Sequence, residues 1–281
     1  MLFDSHAHLN NADMPRDDVL AMARQIEKSD LDYVVDIGFD PDSSLAAADH
    51  AEEFPWCYAA VGCHPHDTKV MDEDELLKIR ILADRKKVVA IGEIGLDFHY
   101  DFSPRDVQRQ WFRKQIRLAN KLRMPICIHA READQEVMDI LKDEGAFSDE
   151  RKSWFPSRPD TTGFCSRKVE TGDARVLLHC FSGSAELAKQ YVKLGGTISV
   201  AGPVTYKNNR KTVEVVDKIP LDFLLVETDS PYLTPVPFRG QKNTPPNVEY
   251  TCRKVAEIKG ISYEEAAAAT KANAMRFYGI R

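Results

Sequence analysis

The sequence predicts an α/β fold: a (β/α)8 barrel of TIM type, one domain over residues 1–281, with an insertion at 145–174 between helix 5 and strand 6. Three observations carry that expectation. Eight short apolar, β-branched runs alternate with amphipathic helical patterns along the 281 residues. No linker or shift of composition divides the chain, and a single barrel fills this length. Several of the apolar runs finish in His, Glu or Asp, as parallel strands do when their C-terminal ends share one rim.

The strand-like runs are 1–8, 33–38 (YVVDIG), 57–63 (CYAAVGC), 88–94 (VVAIGEI), 125–129 (PICIH), 175–180 (RVLLHC), 197–202 (TISVAG) and 223–229 (FLLVETD). Most are continuously apolar, as parallel strands covered on both faces require. Helical patterns near 17–28, 42–53, 73–84, 105–122, 133–143, 185–194 and 209–217 fill the gaps. Two more, near 247–258 and 263–278, close the chain. An open doubly wound sheet is the competing architecture, but it has no need of an eighth strand.

The stretch 145–174 breaks this rhythm with Gly, Pro, Ser and Thr. Lying between helix 5 and strand 6, it belongs on the bottom face of a barrel, opposite the rim where active sites form. Its bases Arg151, Lys152, Arg158, Arg167 and Lys168 are matched by the acids Asp149, Glu150, Asp160, Glu170 and Asp173. That balance is expected of a solvated excursion or a subunit contact, not of a clamp on an anion.

A hydrophobic content of 43% beside 29% charged residues fits a soluble globular chain with an ample core. The net charge of −6 excludes a global basic field for nucleic acid, so local cations or metal would have to hold a polyanion. There is no targeting signature and no run approaching the ~18 apolar residues of a membrane span. The cysteines at 57, 63, 127, 165, 180 and 252 form no CxxC pair and read as buried reduced thiols. The cytoplasm is the expected compartment.

Near the N-terminus stands DSHAHLN, residues 4–10. The two-residue period of a strand turns Asp4, His6 and His8 to one face. Alone, the pair reads more readily as surface histidines than as ligands. However, His64 and His66 follow strand 3, Glu93 lies in strand 4, and His129, His179 and Asp229 end strands 5, 6 and 8. Ionisable groups buried at strand ends cost several kcal/mol unless paired or metal-bound, and a barrel brings those ends together. Four imidazoles (His6, His8, His129, His179) and two carboxylates (Glu93, Asp229) exceed one tetrahedral ion and suit two ions bridged by a carboxylate. Zn²⁺, Mn²⁺ or Fe²⁺ match these donors, with Mg²⁺ an alternative. Such a pair of ions points to hydrolysis.

Together, LFDSHAHLN, GCHPH, GEIGLDF, PICIHAR, LLHCFSGS and ETDSPYLTP followed by FRG resemble the TatD family of metal-dependent deoxyribonucleases within the amidohydrolase superfamily. The likeness runs from residue 2 to about 279, with the motifs in the family's order. It implies a TIM-like barrel, two divalent ions (Zn, Mn or Mg) and hydrolysis of DNA phosphodiesters from the 3′ end by a metal-activated hydroxide. It also implies that His6, His8 and Asp229 hold one ion, His129 and His179 the other, and that Glu93 bridges them. Two departures from the family pattern are the long stretch between His129 and His179 and Gln135 in place of an acid.

From these assignments, Glu93 and Asp229 are the expected catalytic groups, Asp229 as a ligand or as the acceptor of a water proton. His64 and Arg131 are expected to touch phosphate, the arginine through its fork. His66 and Asp97 are expected to fix a ring or loop. The loops at 205–211 and 235–243 add Lys207, Arg210, Lys211, Arg239 and Lys242, with Tyr206, Tyr232 and Phe238 as candidates to stack a base. The expected partner is DNA, as single strands or 3′ ends, with no membrane and no obligate protein partner. The alternative is a small-molecule amidohydrolase or phosphoesterase with the same dinuclear site.

Overall fold

The computed structural model describes residues 1–10, 14–157 and 172–281. Parallel strands β1 (Leu2–Ala7), β2 (Leu31–Ile37), β3 (Cys57–Val61), β4 (Val88–Asp97), β5 (Ile126–Arg131), β6 (Val176–Leu178), β7 (Thr197–Val200) and β8 (Leu224–Val226) form one sheet in sequence order. The last strand returns to the first. Ala7 bridges Ser230, Ser5 Oγ donates to the Val226 carbonyl at 3.0 Å, and the Asp229 N–H donates to the His6 carbonyl at 2.9 Å. This closure makes the expected barrel and excludes the open sheet, whose edge strands would stay unpaired.

Helices α1 (Arg16–Glu27), α2 (Pro41–Glu53), α3 (Glu73–Ala83), α4 (Arg105–Leu122) and α5 (Asp134–Asp143) follow the first five strands. After α6 (Asp149–Ser153) come α7 (Ala185–Lys193), α8 (Arg210–Lys218), α9 (Val248–Lys259) and α10 (Tyr263–Tyr278). Apart from α6, each agrees with its sequence pattern to within a residue. Local chemistry sets the starts. Asp40 with Ser43 and Ser262 with Glu265 form capping boxes on α2 and α10, and the Asp72 carboxylate accepts the first N–H groups of α3.

The strands are mostly apolar because each serves two cores. Leu2 and Val34 face the helices, while Phe3 and Val35 face the barrel interior. Helix α10 fills the bottom of that interior with Ala274, Phe277 and Tyr278. Tyr278 Oη donates to the Ser5 carbonyl at 2.8 Å, and its ring stacks on Phe3. The polar strand ends are therefore gathered at the opposite rim.

Five strands, β1, β3, β6, β7 and β8, are shorter than the sequence suggests. β6 and β8 stop at Leu178 and Val226, so His179 and Asp229 stand beyond the regular ladder. Nearby Cys180 (φ +42°) and Asp229 itself (φ +55°) leave the extended region, a conformation that side-chain-bearing residues hold only when their surroundings enforce it.

The expectation of a solvated 145–174 is corrected at Arg151. That residue lies in α6 and is fully buried, its guanidinium donating to the carbonyls of Ala174 and Met124 at 2.8 Å and to Asn120 Oδ1 at 2.7 Å. These acceptors lie before β5 and β6, which puts this part of the stretch at the bottom of the barrel, as expected. A side chain that neutralises carbonyls beneath two strands is structural. Arg158, Asp160, Arg167, Lys168 and Glu170 lie outside the described residues, as does Cys165. The described cysteines are all free thiols.

Candidate metal centre

Alternation along β1 turns His6 and His8 inward together, with their Nε2 atoms 3.3 Å apart. Strand β4 brings Glu93 against them from across the barrel. Glu93 Oε2 lies 3.2 Å from His6 Nε2 and 3.6 Å from His8 Nε2. Asp229 Oδ1, just past β8, lies 3.8 and 3.4 Å from the same two nitrogens. The other carboxylate oxygen faces a separate set: Glu93 Oε1 is 2.8 Å from His129 Nδ1, 2.7 Å from His179 Nε2 and 3.5 Å from His64 Nε2. One buried carboxylate thus divides the rings into two groups.

The protonation balance follows from that geometry. Burial alone would raise the Glu93 carboxyl, but His179, His64 and His129 hold it well below the usual range. Burial opposes charge on His179 as well, yet Glu93 and Glu227 push its pKa well up. The same contest, with Asp229 and Glu93 as partners, lifts His8 to about 9. Burial and the neighbouring His129 push His64 well down, and burial with His179 lowers His6. Protons on some rings therefore balance the acids, in places that a divalent cation would take over.

The outward-facing ring nitrogens test whether the residues fit a metal. A ligating imidazole typically donates its far N–H to a carbonyl or carboxylate, which sets its tautomer. His8 Nδ1 lies 2.8 Å from the Ile37 carbonyl, His129 Nε2 3.2 Å from Asp97 Oδ2, and His179 Nδ1 3.4 Å from Glu227 Oε1. His6 Nδ1 and His179 Nδ1 are both buried without a hydrogen bond among the described residues, the latter facing Glu227 only at ion-pair distance. Donor atoms of His6, His8 and Glu93 lie close enough to share one ion, as do those of His64, Glu93 and His129, and those of His6, His179 and Glu227. The donor set fits divalent metal.

All six residues expected as ligands meet at the rim. His64, expected at phosphate, is buried within the second group of rings. Arg131, also expected there, is exposed at the end of β5 with its guanidinium 4.6 Å from the Tyr100 ring. His66 and Asp97 are joined at 2.9 Å, and Asp97 stands behind His129. Lys207, Arg210, Lys211, Arg239 and Lys242 are exposed. Of the candidate stacking rings, Phe238 packs edge-on against Tyr250, and Tyr206 is tied by its hydroxyl to the Thr234 carbonyl. Tyr232 is exposed, with its ring 6.2 Å from His8.

Two buried acids, Glu227 and Asp36, escape the sequence reading, and a third, Asp4, is read there only for its face. Glu227 accepts from Ser199 Oγ at 2.5 Å and the Cys180 N–H at 2.7 Å. Asp4 accepts from the Thr228 N–H and hydroxyl, and burial raises its carboxyl well above the usual range. Asp36 accepts from the Leu9 N–H and Asn10 Nδ2 and lies 2.8 Å from His50 Nδ1, so it orders the chain beyond His8. Glu227 had a readable signal, since the two-residue period places it on the same face as Asp229. Replacing Glu227 by Gln should weaken metal binding roughly 10–100-fold, as loss of an outer carboxylate does. Competition against a chelating indicator measures this, and unchanged affinity would reduce Glu227 to a packing residue.

Among the described residues no helix is long and apolar enough to cross a membrane. Residues 3–279 match the model of the family described as TatD related DNase. YabD of Bacillus subtilis, named as a metal-dependent hydrolase, is 42% identical over 280 residues, covering 100% of both chains. A metal-dependent hydrolase of Mycobacterium tuberculosis, TatD, is 33% identical over 99% of this chain and 98% of its own. The crystal structure of YJJV, a TatD homologue from Escherichia coli K12, aligns with a TM-score of 0.84 at 26% identity, over 100% of this chain and 98% of that one. With the family matched from end to end and relatives of full length named as metal-dependent hydrolases, this chain belongs to the TatD-related DNase family and is a metal-dependent hydrolase.

Proposed function

We propose that this hydrolase cleaves DNA phosphodiester bonds, shortening single strands from the 3′ end, and that residues 1–281 act as one domain with two divalent ions (Zn, Mn or Mg) across Glu93. The observation that carries the reading is the division of labour at Glu93, whose two oxygens face different imidazoles. His6, His8 and Asp229 would hold one ion, and His129 and His179 the other. When bound, the ions acidify a water and neutralise phosphoryl charge.

The chain's own groups do the rest. Arg131 offers a planar fork to two phosphate oxygens. His64, kept neutral by burial and its neighbours, gives one hydrogen bond to a phosphoryl oxygen. Asp229 stays ionised, because His8 and His6 hold its carboxyl low against the pull of burial, and it accepts the proton that the attacking water loses. The exposed cations at 207–211 and 239–242 hold the strand as it leaves the rim.

A 5′-labelled single strand incubated with Mn²⁺, Mg²⁺ or Zn²⁺ should yield a ladder of products shortened from the 3′ end. Intact oligonucleotide beside hydrolysed simple phosphate esters would replace this reading with that of a small-molecule phosphoesterase. Salt tests the grip separately. Two or three phosphate contacts at a log–log slope of about 0.7 each weaken single-strand binding on the order of tenfold between about 50 and 200 mM salt. A flat KM across that range would remove the loop cations from the binding surface.

A further inference from the structure

We infer that the loop after β4 carries a base-stacking platform, Tyr100 and Phe102, for the nucleotide beside the scissile phosphate. This rests on the DNA reading above and deepens it. The two rings stack on each other, with centroids 5.1 Å apart and planes 13° from parallel, yet they are 47% and 56% exposed. Large aromatic surface held flat and open to water is what a sequence-tolerant base contact requires, since every base has a π-face.

The platform is rigidly seated. Asp97 Oδ1 accepts the N–H groups of His99 and Tyr100 at 2.9 and 3.0 Å. Beyond the rings, buried Ser103 donates to the His66 carbonyl at 2.7 Å, and Gln108 Nε2 donates to the carbonyls of Asp97 and Ser103. The His66 ring meets Tyr100 and Phe102 edge-on at 5.6 and 4.8 Å. Ordering cost is therefore met by the fold before any ligand arrives.

Its position ties it to the site. The other oxygen of Asp97 lies against both His66 and His129, so a single imidazole separates the platform from a ring of the metal centre. A strand with its phosphate beside His129 would bring a neighbouring base toward the rings, since the His66 ring lies 6.2 Å from His129 and 4.8 Å from Phe102. Charge agrees. Among nearby cations, Arg105 is paired with Asp101 and Arg109 with Glu136, whereas Arg131 has no carboxylate partner among the described residues and lies against Tyr100. A stacking face beside an uncompensated guanidinium matches a nucleotide: π-surface on one part, phosphate on the other.

The test uses the metal-loaded enzyme and two short single strands, identical except that one carries a tetrahydrofuran in place of the base at the 3′-terminal or penultimate position. Phe102→Ala and Tyr100→Ala should raise KM for the base-bearing strand roughly 5–100-fold, the range of one lost stacking contact, and far less for the baseless strand. Phe102→Trp should restore the preference, and thermal transitions should show all variants folded. Equal KM changes on both strands, or none on either, overturn the platform while leaving the nuclease reading in place. A wild-type enzyme that cleaves no strand with any of the three metals sinks both.

Discussion

Replacing Glu93 by Ala abolishes hydrolysis and leaves the barrel folded. Both halves of this expected result come from the geometry. Each oxygen of the carboxylate faces its own set of ring nitrogens, so no neighbouring side chain can substitute for it. The loss should exceed the roughly 10–100-fold typical of outer-sphere carboxylates, because the group removed touches both sets directly. The barrel survives because the imidazoles respond. Asp97 and Glu93 together raise the His129 pKa and Glu93 and Glu227 that of His179, so without Glu93 burial shifts both rings toward the neutral form. Elemental analysis of metal content, steady-state rates and a thermal transition together decide the matter. Full metal content with full activity would refute the bridging role of Glu93.

The second large effect is a dependence of metal affinity and stability on pH. His8 in the ion-free site titrates near 9 because Asp229 and Glu93 outweigh burial, against 6.5 for a free ring. A folded pKa above the unfolded one contributes stability that is fully present below pH 6.5 and is lost as the pH rises through 9. The chelator-stripped protein should therefore lose several degrees of thermal midpoint across that window. The metal-loaded protein should not, since the ion occupies the place of the proton. For the same reason an ion must displace that proton, and the one on His179, to bind, so apparent affinity should climb at least tenfold per pH unit below 9. Parallel melting curves of stripped and loaded protein, with metal titrations at three pH values, measure both. Coincident pH profiles for the two forms would show that metal does not displace the proton on His8.

Much of the site was legible because ligand types stand at strand ends with a two-residue period. His6 and His8 share a face for that reason, although a register shift between Asp4 and Ala7 interrupts the alternation before them, and the same parity read along FLLVETD would have found Glu227 from Asp229. Asp36 was hidden in YVVDIG because nothing local marks its partners, Leu9, Asn10 and His50, which come from two other parts of the chain. Tyr100 and Phe102 were passed over for an opposite reason. Aromatic residues in a sequence read as core, and their exposure exists only once the loop is built.

Arg151 shows how composition misleads. A basic residue amid matched acids reads as solvated surface, whereas the fold presents three main-chain or amide oxygens that its guanidinium fills. The sequence by itself determined the barrel, through eight doubly covered strands and the helices between them, and the roster of residues at its rim. Those signals are local: periodicity and parity follow from neighbours a few residues apart. Only the tertiary structure decided which oxygen of Glu93 meets which ring, where His64 sits, and which aromatic rings face water. These are distances between side chains far apart in sequence, and they exist only once β8 has closed on β1.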